Sequence, residues 1–448
     1  MAEMKLGLFI RPTGHHIASW RHPNAHDDAN KNFDRFIEMA QTAERGLFDM
    51  LFSADTQTAW TTVGTALNRQ HYSTWLEPYT LLASLAPITK HIGLVCTKST
   101  SFEFPYTVAR QFATLDLICG GRSGVNIVTT GNGRSAKNYS QEEHKPKPER
   151  YEIADEFVDV LLGLWDSWEE DAFIRNKKTS TFFDWDKMHV LNHKGKHFQV
   201  EGPLNVPRSP QGRPVIIQAG ASEEGRELAA KSADVIFGAS QSLEMAQGFY
   251  ADVKARLARY GREYGDLKIL PGLSVTVAET EEEAQASFDV LQDLIHPDHG
   301  LAFLSRRVGH DFTQMDPNLP VPELDAVDDL GTRSGQMLNL ASQNNWTLRQ
   351  LYQHFAAARG HMVLVGTPET VVNTMQEWFE SDACDGFNII PSMFPDDFDS
   401  FVNLVVPELQ RRNLFRKAYE GNTLREHLGL KVPDSRYGTA AERMNQNF

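Results

Sequence analysis

Residues 214–238 read PVIIQAGASEEGRELAAKSADVIFG. PVIIQAG (214–220) is a short, mostly apolar run closed by glycine, so it reads as a buried strand. Ser222 then opens a helix over 222–232, and ADVIFG (233–238) is a second strand of the same kind. A strand, a helix and a strand within 25 residues form one β/α unit, which implies a parallel sheet.

The same alternation extends in both directions. Upstream lie the strand-like runs KLGLFI (5–10), FDMLFSAD (48–55), HIGLVCT (91–97) and RSGVNIVTT (122–130). Helical patterns at 32–46, 79–89, 105–119 and 150–168 follow them in turn. Downstream come a helix over 242–262, the strand KILPGLSVTVA (268–278), helices over 280–295 and 367–380, and the strand DGFNIIP (385–391). Eight strands, each followed by helical material, point to a closed (β/α)₈ barrel of the α/β class in preference to an open doubly wound sheet. The chain reads as one domain over 1–448, with insertions at about 169–212 and 296–366 and a C-terminal arm at about 413–448. The polar segment 296–366 is the candidate lid, and the arm is long enough to lie on a neighbouring subunit.

Bulk composition narrows the function classes. Apolar residues make up 41% and charged residues 23% of 448, which is ordinary globular usage. A net charge of −15 opposes a nucleic-acid surface, since phosphate binding needs a basic face. No run reaches the ~18 apolar residues of a membrane span, and the first residues read as a strand, not a signal peptide. Three scattered cysteines (Cys96, Cys119, Cys384) offer neither a disulfide framework nor a zinc site and suit a reducing cytoplasm.

In such a barrel the site lies at the carboxyl ends of the strands. Arg11, His15 and His16 follow the first strand, Asp55 the second, Thr97, Lys98 and Ser99 the third, and Asn126 lies on the fourth. Ser222, after QAG, offers a hydroxyl and free backbone N–H groups, which suits either a phosphate or a plain helix N-cap. GNGRSA (131–136) mimics a dinucleotide-binding turn, but the prolines that follow leave no helix to receive a pyrophosphate. The chain therefore carries no nicotinamide domain. His22/His26 and His296/His299 have loosely metal-like spacing, but each pair spans a proline, and no metal site is expected.

These stretches resemble the bacterial-luciferase-like FMN-dependent monooxygenases, in particular the group of nitrilotriacetate, dibenzothiophene-sulfone and long-chain alkane monooxygenases. The likeness is carried by SWRHP (19–23), AERGLFDMLFSAD (43–55), LEPYTLLASLA (76–86), PYTVARQFATLD (105–116), GGRSGVNIVTT (120–130), RYEIADEF (150–157), GPLNVPRSPQGRPVIIQAGAS (202–222), HPDHGL (296–301) and YEGNTLREHLGL (419–430). The resemblance implies a luciferase-like barrel that oxidises a small molecule with O₂. It also implies FMNH₂ supplied by a separate NAD(P)H:flavin reductase, and a homodimer or homotetramer. Matched residue by residue, Asp55, Thr97 and Ser99 should lie near the flavin and Asn126 beneath its ring, while Tyr151 and Ser222 should hold its phosphate. That selects the ligand reading of QAGAS.

Two departures shape the substrate expectation. Lys147 stands where the family commonly has a histidine, and a lysine still serves a phosphate as a point charge. In LSRRVGHDF (304–312), Arg307, beside Arg306, replaces a histidine important in the sulfone and alkane enzymes. A guanidinium is a poor acid or base but a good carboxylate clamp. With Arg11 near the same mouth, a carboxylated substrate cleaved at C–N or C–S is expected over a neutral sulfone or alkane. His15 or His16 is left as the group for proton transfer, on the ground that imidazole titrates near neutral pH. The competing readings are a deazaflavin-dependent dehydrogenase and a flavin-binding protein without turnover.

Overall fold

The computed structural model describes residues 3–59, 64–322 and 333–437. In chain order its strands are β1 (Lys5–Phe9), β2 (Met50–Ser53), β3 (Gly93–Ser99), β4 (Ser123–Val128), β5 (His193–Lys194), β6 (Gln199–Val200), β7 (Val215–Gln218), β8 (Val235–Gly238), β9 (Lys268–Val277), β10 (Met362–Gly366) and β11 (Gly386–Ile389). All neighbours in the large sheet are parallel, in the order β11-β1-β2-β3-β4-β7-β8-β9, and β9 pairs back to β11, so eight strands close the barrel. The eight runs read as strands from the sequence are the eight barrel staves. The barrel helices are α1 (Phe33–Arg45), α2 (Pro78–Leu85), α3 (Pro105–Ile118), α4 (Lys147–Trp165), α5 (Glu223–Ser232), α6 (Leu243–Arg256), α7 (Glu281–Asp293) and α11 (Pro368–Glu380).

The period of two along each strand divides the core into layers. Leu6, Leu8, Leu51, Leu94, Cys96, Val125 and Ile127 pack outward against helix residues such as Phe36, Leu82, Phe112 and Phe157. Met50, Phe52, Val95, Val215, Ile217 and Val235 form a second cluster with Leu424, Leu428 and Leu430. The C-terminal stretch therefore folds onto its own barrel through residue 430, and 438–448 of the arm lie outside the described residues. Two buried ion pairs fasten it: Arg416 to Asp49, just before β2, and Arg425 to Asp234, just before β8, through two bonds of 3.0 and 2.9 Å. Both acids precede their strands, so the stretch seals the face opposite the site.

The described parts of the segment 296–366 hold more regular structure than its polar composition suggests. It contains α8 (Pro297–Val308), α9 (Arg333–Gln343), α10 (Leu348–Ala356) and β10. Leu301, Phe303, Leu304, Leu351, Tyr352 and Phe355 form a core of their own together with Ile17 and Ala18 from the loop after β1. β10 pairs with β9 alone. Leu273 meets Ile389 of β11 on one side and Met362 of β10 on the other, so β10 continues the edge where β8 stops at Gly238. The residues leading into β10, Arg359 to His361, are thereby delivered to the carboxyl end of β8, and the His361 ring stacks on Phe237. The insertion at 169–212 carries the small antiparallel pair β5–β6. Among the described residues no helix is long and apolar enough to cross a membrane.

Candidate active site

At the carboxyl ends of the strands lies a cavity of about 390 Å³, with Phe9, Phe52 and Phe237 among its walls. Their rings meet at 4.9–5.5 Å, which gives the cavity a fixed apolar side. The opposite lining is polar and includes Asp55, Thr97, Ser99, Asn126 and Thr130. Asn126 Nδ2 donates to Thr97 Oγ1 at 2.8 Å, and its carbonyl oxygen, though buried, has no partner among the described residues. Thr130 donates to Ser99 Oγ at 2.6 Å. Burial and then the neighbouring Glu77 carboxylate raise the Asp55 pKa to about 6. Lys98 is engaged by two acids, Glu77 at 3.6 Å and Glu103 at 3.5 Å.

The N-terminus of α5 approaches the same mouth through Ala219, which also lines the cavity. Ser222 caps the helix by accepting the Gly225 N–H at 3.4 Å, and its hydroxyl lies 3.3 Å from the Tyr151 oxygen. A methyl group on Gly225 would stand 3.0 Å from Gly220 Cα and 3.1 Å from that phenol, so the backbone turn is too tight for a side chain. Lys147 is exposed and pairs with Glu224 at 2.9 Å, next to the Tyr151 ring.

His15 and His16 are buried and do not line the cavity. His15 Nε2 bonds the Phe9 carbonyl at 3.0 Å, and His16 Nδ1 accepts the Ala18 N–H at 3.1 Å. Burial, then the charges of Arg11 and Arg359, hold His15 well below its ordinary pKa, and burial lowers His16 to about 3. The reason for assigning them proton transfer, titration near neutrality, does not hold in this fold: both are neutral at pH 7. His296 caps α8, and His22 accepts the Asn24 N–H, so both act as turn residues. Among the described residues no three metal-ligating side chains gather.

The arginines do gather. Arg11 lies 5.6 Å from the Phe9 ring centroid, 5.7 Å from that of Tyr72 and 5.5 Å from that of Trp75. Arg359 lies 4.1 Å over the Tyr72 ring, and Arg306 donates to the Tyr72 hydroxyl at 3.1 Å and to Gln70 at 3.2 Å. Arg307 and Arg359 line a second small cavity together with Phe303 and Phe355. Burial, then the Arg359 and Arg307 charges, pull Arg11 down to about 9, so it stays charged at neutral pH. Of the acids in the described part of the lid, Asp298 faces Arg69 at 3.4 Å, and Asp311 accepts from Thr313.

The model of the luciferase-like monooxygenase family matches residues 13–384. The chain belongs to this family. It is 50% identical over 438 residues to N-acetyl-S-(2-succino)cysteine monooxygenase of Bacillus subtilis, covering 97% of this chain and 98% of that one. It is 45% identical over 441 residues to nitrilotriacetate monooxygenase component A of Aminobacter aminovorans, covering 96% and 97%. The crystal structure of DmoA from Hyphomicrobium sulfonivorans superposes with a TM-score of 0.87 at 30% identity, covering 95% and 92% of the two chains. This luciferase-like monooxygenase is therefore an enzyme of the oxygenase class on a closed barrel.

Of the residues singled out from the sequence, Asp55, Thr97, Ser99 and Asn126 meet in one cavity, and Lys147, Tyr151 and Ser222 meet beside it. Arg11, Arg306 and Arg307 converge on a second group with Tyr72 and Arg359, neither of which the sequence reading names. Phe9, Phe52 and Phe237 were read only as strand residues. Arg359 had one visible signal, the pair Arg359-Gly360 directly before an apolar run, inside a segment taken as irregular.

Proposed function

We propose that this chain is the oxygenase component of a two-component system. It takes FMNH₂ from a separate NAD(P)H:flavin reductase and uses O₂ to oxidise a small substrate that bears several carboxylates on an amine nitrogen or a thioether sulfur, with C–N or C–S cleavage. The observation that carries the reading is the pair Arg11 and Arg359, buried together beside an aromatic-walled cavity with Tyr72 between them. Like charges held together out of bulk water repel, and an anion is the partner that removes the cost.

The mouth fits FMN on its own chemistry. The three phenylalanines, packed edge-to-face and tilted, offer an apolar wall, and the Asn126 carbonyl, without a partner among the described residues, is an acceptor for a ring N–H. The tight turn at Gly220–Gly225, with the Ser222 and Tyr151 hydroxyls at a helix N-terminus, suits a phosphate, and Lys147 stands at its rim in an ion pair with Glu224 that a phosphate would compete for. Bound there, reduced flavin supplies the activation of O₂. The residues of the chain place the substrate against it, and the phenylalanine wall keeps water away.

The comparisons support the substrate class. The two relatives above are named for a succinylated thioether and for an amine carrying three acetates, and the second is named as one component of its system. The test is oxygen uptake with FMN, NADH and a generic flavin reductase, across nitrilotriacetate, N-acetyl-S-(2-succino)cysteine, dibenzothiophene sulfone and a long-chain alkane. Product from a carboxylated compound is expected. Product from the neutral compounds alone would discard the substrate class, and flavin binding without O₂ consumption would discard the oxygenase role.

A further inference from the structure

We propose that Arg359 is a specificity-determining residue that reads the substrate's carboxylates, forming with Arg11 and Arg307 a receptor for an anion with at least two of them. The inference rests on the oxygenase reading for its location but makes a separate claim about one residue.

Four observations converge on Arg359. Its backbone sits at φ +55°, in the left-handed region that non-glycine residues rarely occupy, and Gly360 follows at φ +96°. Such backbone positions persist where something else fixes them, often at functional sites. Its guanidinium lies over the Tyr72 ring, which holds the plane of the fork in place. Its Nη2, like Nε of Arg11, is buried without a partner among the described residues. Its Nε makes only a long bond, 3.3 Å, to the His15 carbonyl.

The charge environment points the same way. Burial lowers the pKa of His15, His16, His71 and His299, and the Arg359 charge lowers each further, so these neighbouring imidazoles offer it no negative charge. Among the described residues, the groups that act most on Arg359 after its burial are Tyr72 and Arg306, and no carboxylate is among them. Arg425 at the other end of the barrel is matched by Asp234, and Arg122 is satisfied by five bonds to carbonyl and hydroxyl oxygens, whereas Arg359 has neither arrangement among the described residues. The placement also serves two cavities. Arg359 and Arg307 share one, and Arg11 stands beside Phe9, a wall of the other. A dicarboxylate bound between the three would hold its adjoining nitrogen or sulfur toward the phenylalanine-walled cavity.

The test uses succinate, acetate and sodium chloride at matched ionic strength, on the wild type and on Arg359→Met and Arg359→Lys. Succinate is expected to raise the wild-type Tm by several degrees, acetate less, and chloride not at all. Arg359→Met should lose the succinate shift while its own Tm stays level or rises, because a repelling charge is gone. In turnover, the KM for N-acetyl-S-(2-succino)cysteine should rise at least tenfold in Arg359→Met and less in Arg359→Lys, with FMN affinity unchanged. A structural role predicts the reverse: a lower Tm in Arg359→Met, with the succinate shift and KM intact. The absence of any succinate effect on the wild type would overturn the receptor. If succinate binds through Arg359 but no carboxylated compound is oxidised, the receptor stands and the oxygenase reading of its substrate falls.

Discussion

Asn126 is oriented by one bond from its amide nitrogen to Thr97 Oγ1 at 2.8 Å, and so presents its carbonyl oxygen, buried and without a partner among the described residues, in the cavity lining. A buried acceptor left bare costs about 1–3 kcal/mol, and a ligand N–H would recover that cost. Asn126→Leu should weaken FMN binding by about tenfold or more, read by flavin fluorescence titration, since tenfold corresponds to about 1.4 kcal/mol. Thr97→Val, which only frees the amide to rotate, should do less. Equal affinity in wild type and Asn126→Leu would remove Asn126 from the flavin site.

The turn at Gly220–Gly225 makes a second prediction. A Cβ at Gly225 meets the Gly220 backbone at 3.0 Å and the Tyr151 oxygen at 3.1 Å, and backbone cannot step aside as a flexible side chain can. Gly225→Ala should therefore displace the α5 N-terminus and weaken FMN more than riboflavin, which lacks the phosphate. A helix interior normally favours Ala over Gly by about 1 kcal/mol, so a gain in Tm with unchanged FMN affinity would show that the cradle is not used.

Asp55 introduces a pH dependence. Burial, then Glu77, raise its pKa to about 6, so the neutral acid predominates below that pH and the carboxylate above it. A negatively charged flavin phosphate ester should bind more tightly below pH 6 and lose affinity as pH rises through 6. Asp55→Asn should flatten that part of the profile, and its persistence in the variant would assign the titration to another group. The raised pKa also means that Asp55 destabilises the fold as pH climbs from the ordinary carboxylate range through 6.

The floor of the barrel is a stability element separate from the chemistry. Burial pushes the Asp234 carboxyl up, but the Arg425 guanidinium outweighs it and the net pKa is lowered. A lowered pKa contributes stability above the ordinary carboxylate range, lost as pH falls through the folded value. Arg425→Met should cost about 3–5 kcal/mol by leaving Asp234 buried without its cation, measured by urea unfolding at pH 7. Replacing both, Asp234→Leu with Arg425→Met, should recover much of it. A loss below about 1 kcal/mol would mean that the pair is solvated.

Much of this was legible in the sequence, for physical reasons. The eight barrel strands are buried on both faces and so read as continuous apolar runs, and the strand-end rule then picks out Asp55, Thr97, Ser99 and Asn126. β10 escaped because it pairs with β9 alone, above the point where β8 ends, and that register is a tertiary fact. α10 carried Leu348, Leu351, Tyr352 and Phe355 at helical spacing, a signal masked by the polar residues around it. Arg359 and Tyr72 lie 287 positions apart and meet only because β10 brings one to the loop that holds the other. For His15 and His16 the sequence shows the imidazole but not its surroundings: burial first, and the neighbouring guanidinium charge after it, lower both below their ordinary range.

The most direct test of the central claim is the stoichiometry of a single pulse of chemically reduced FMN, mixed with the protein and N-acetyl-S-(2-succino)cysteine in aerobic buffer. The structure predicts that substrate is consumed in proportion to FMNH₂ and that H₂O₂ falls correspondingly below the protein-free control. Full recovery of the oxygen as H₂O₂ with this compound and with nitrilotriacetate, while dibenzothiophene sulfone is consumed, would contradict it.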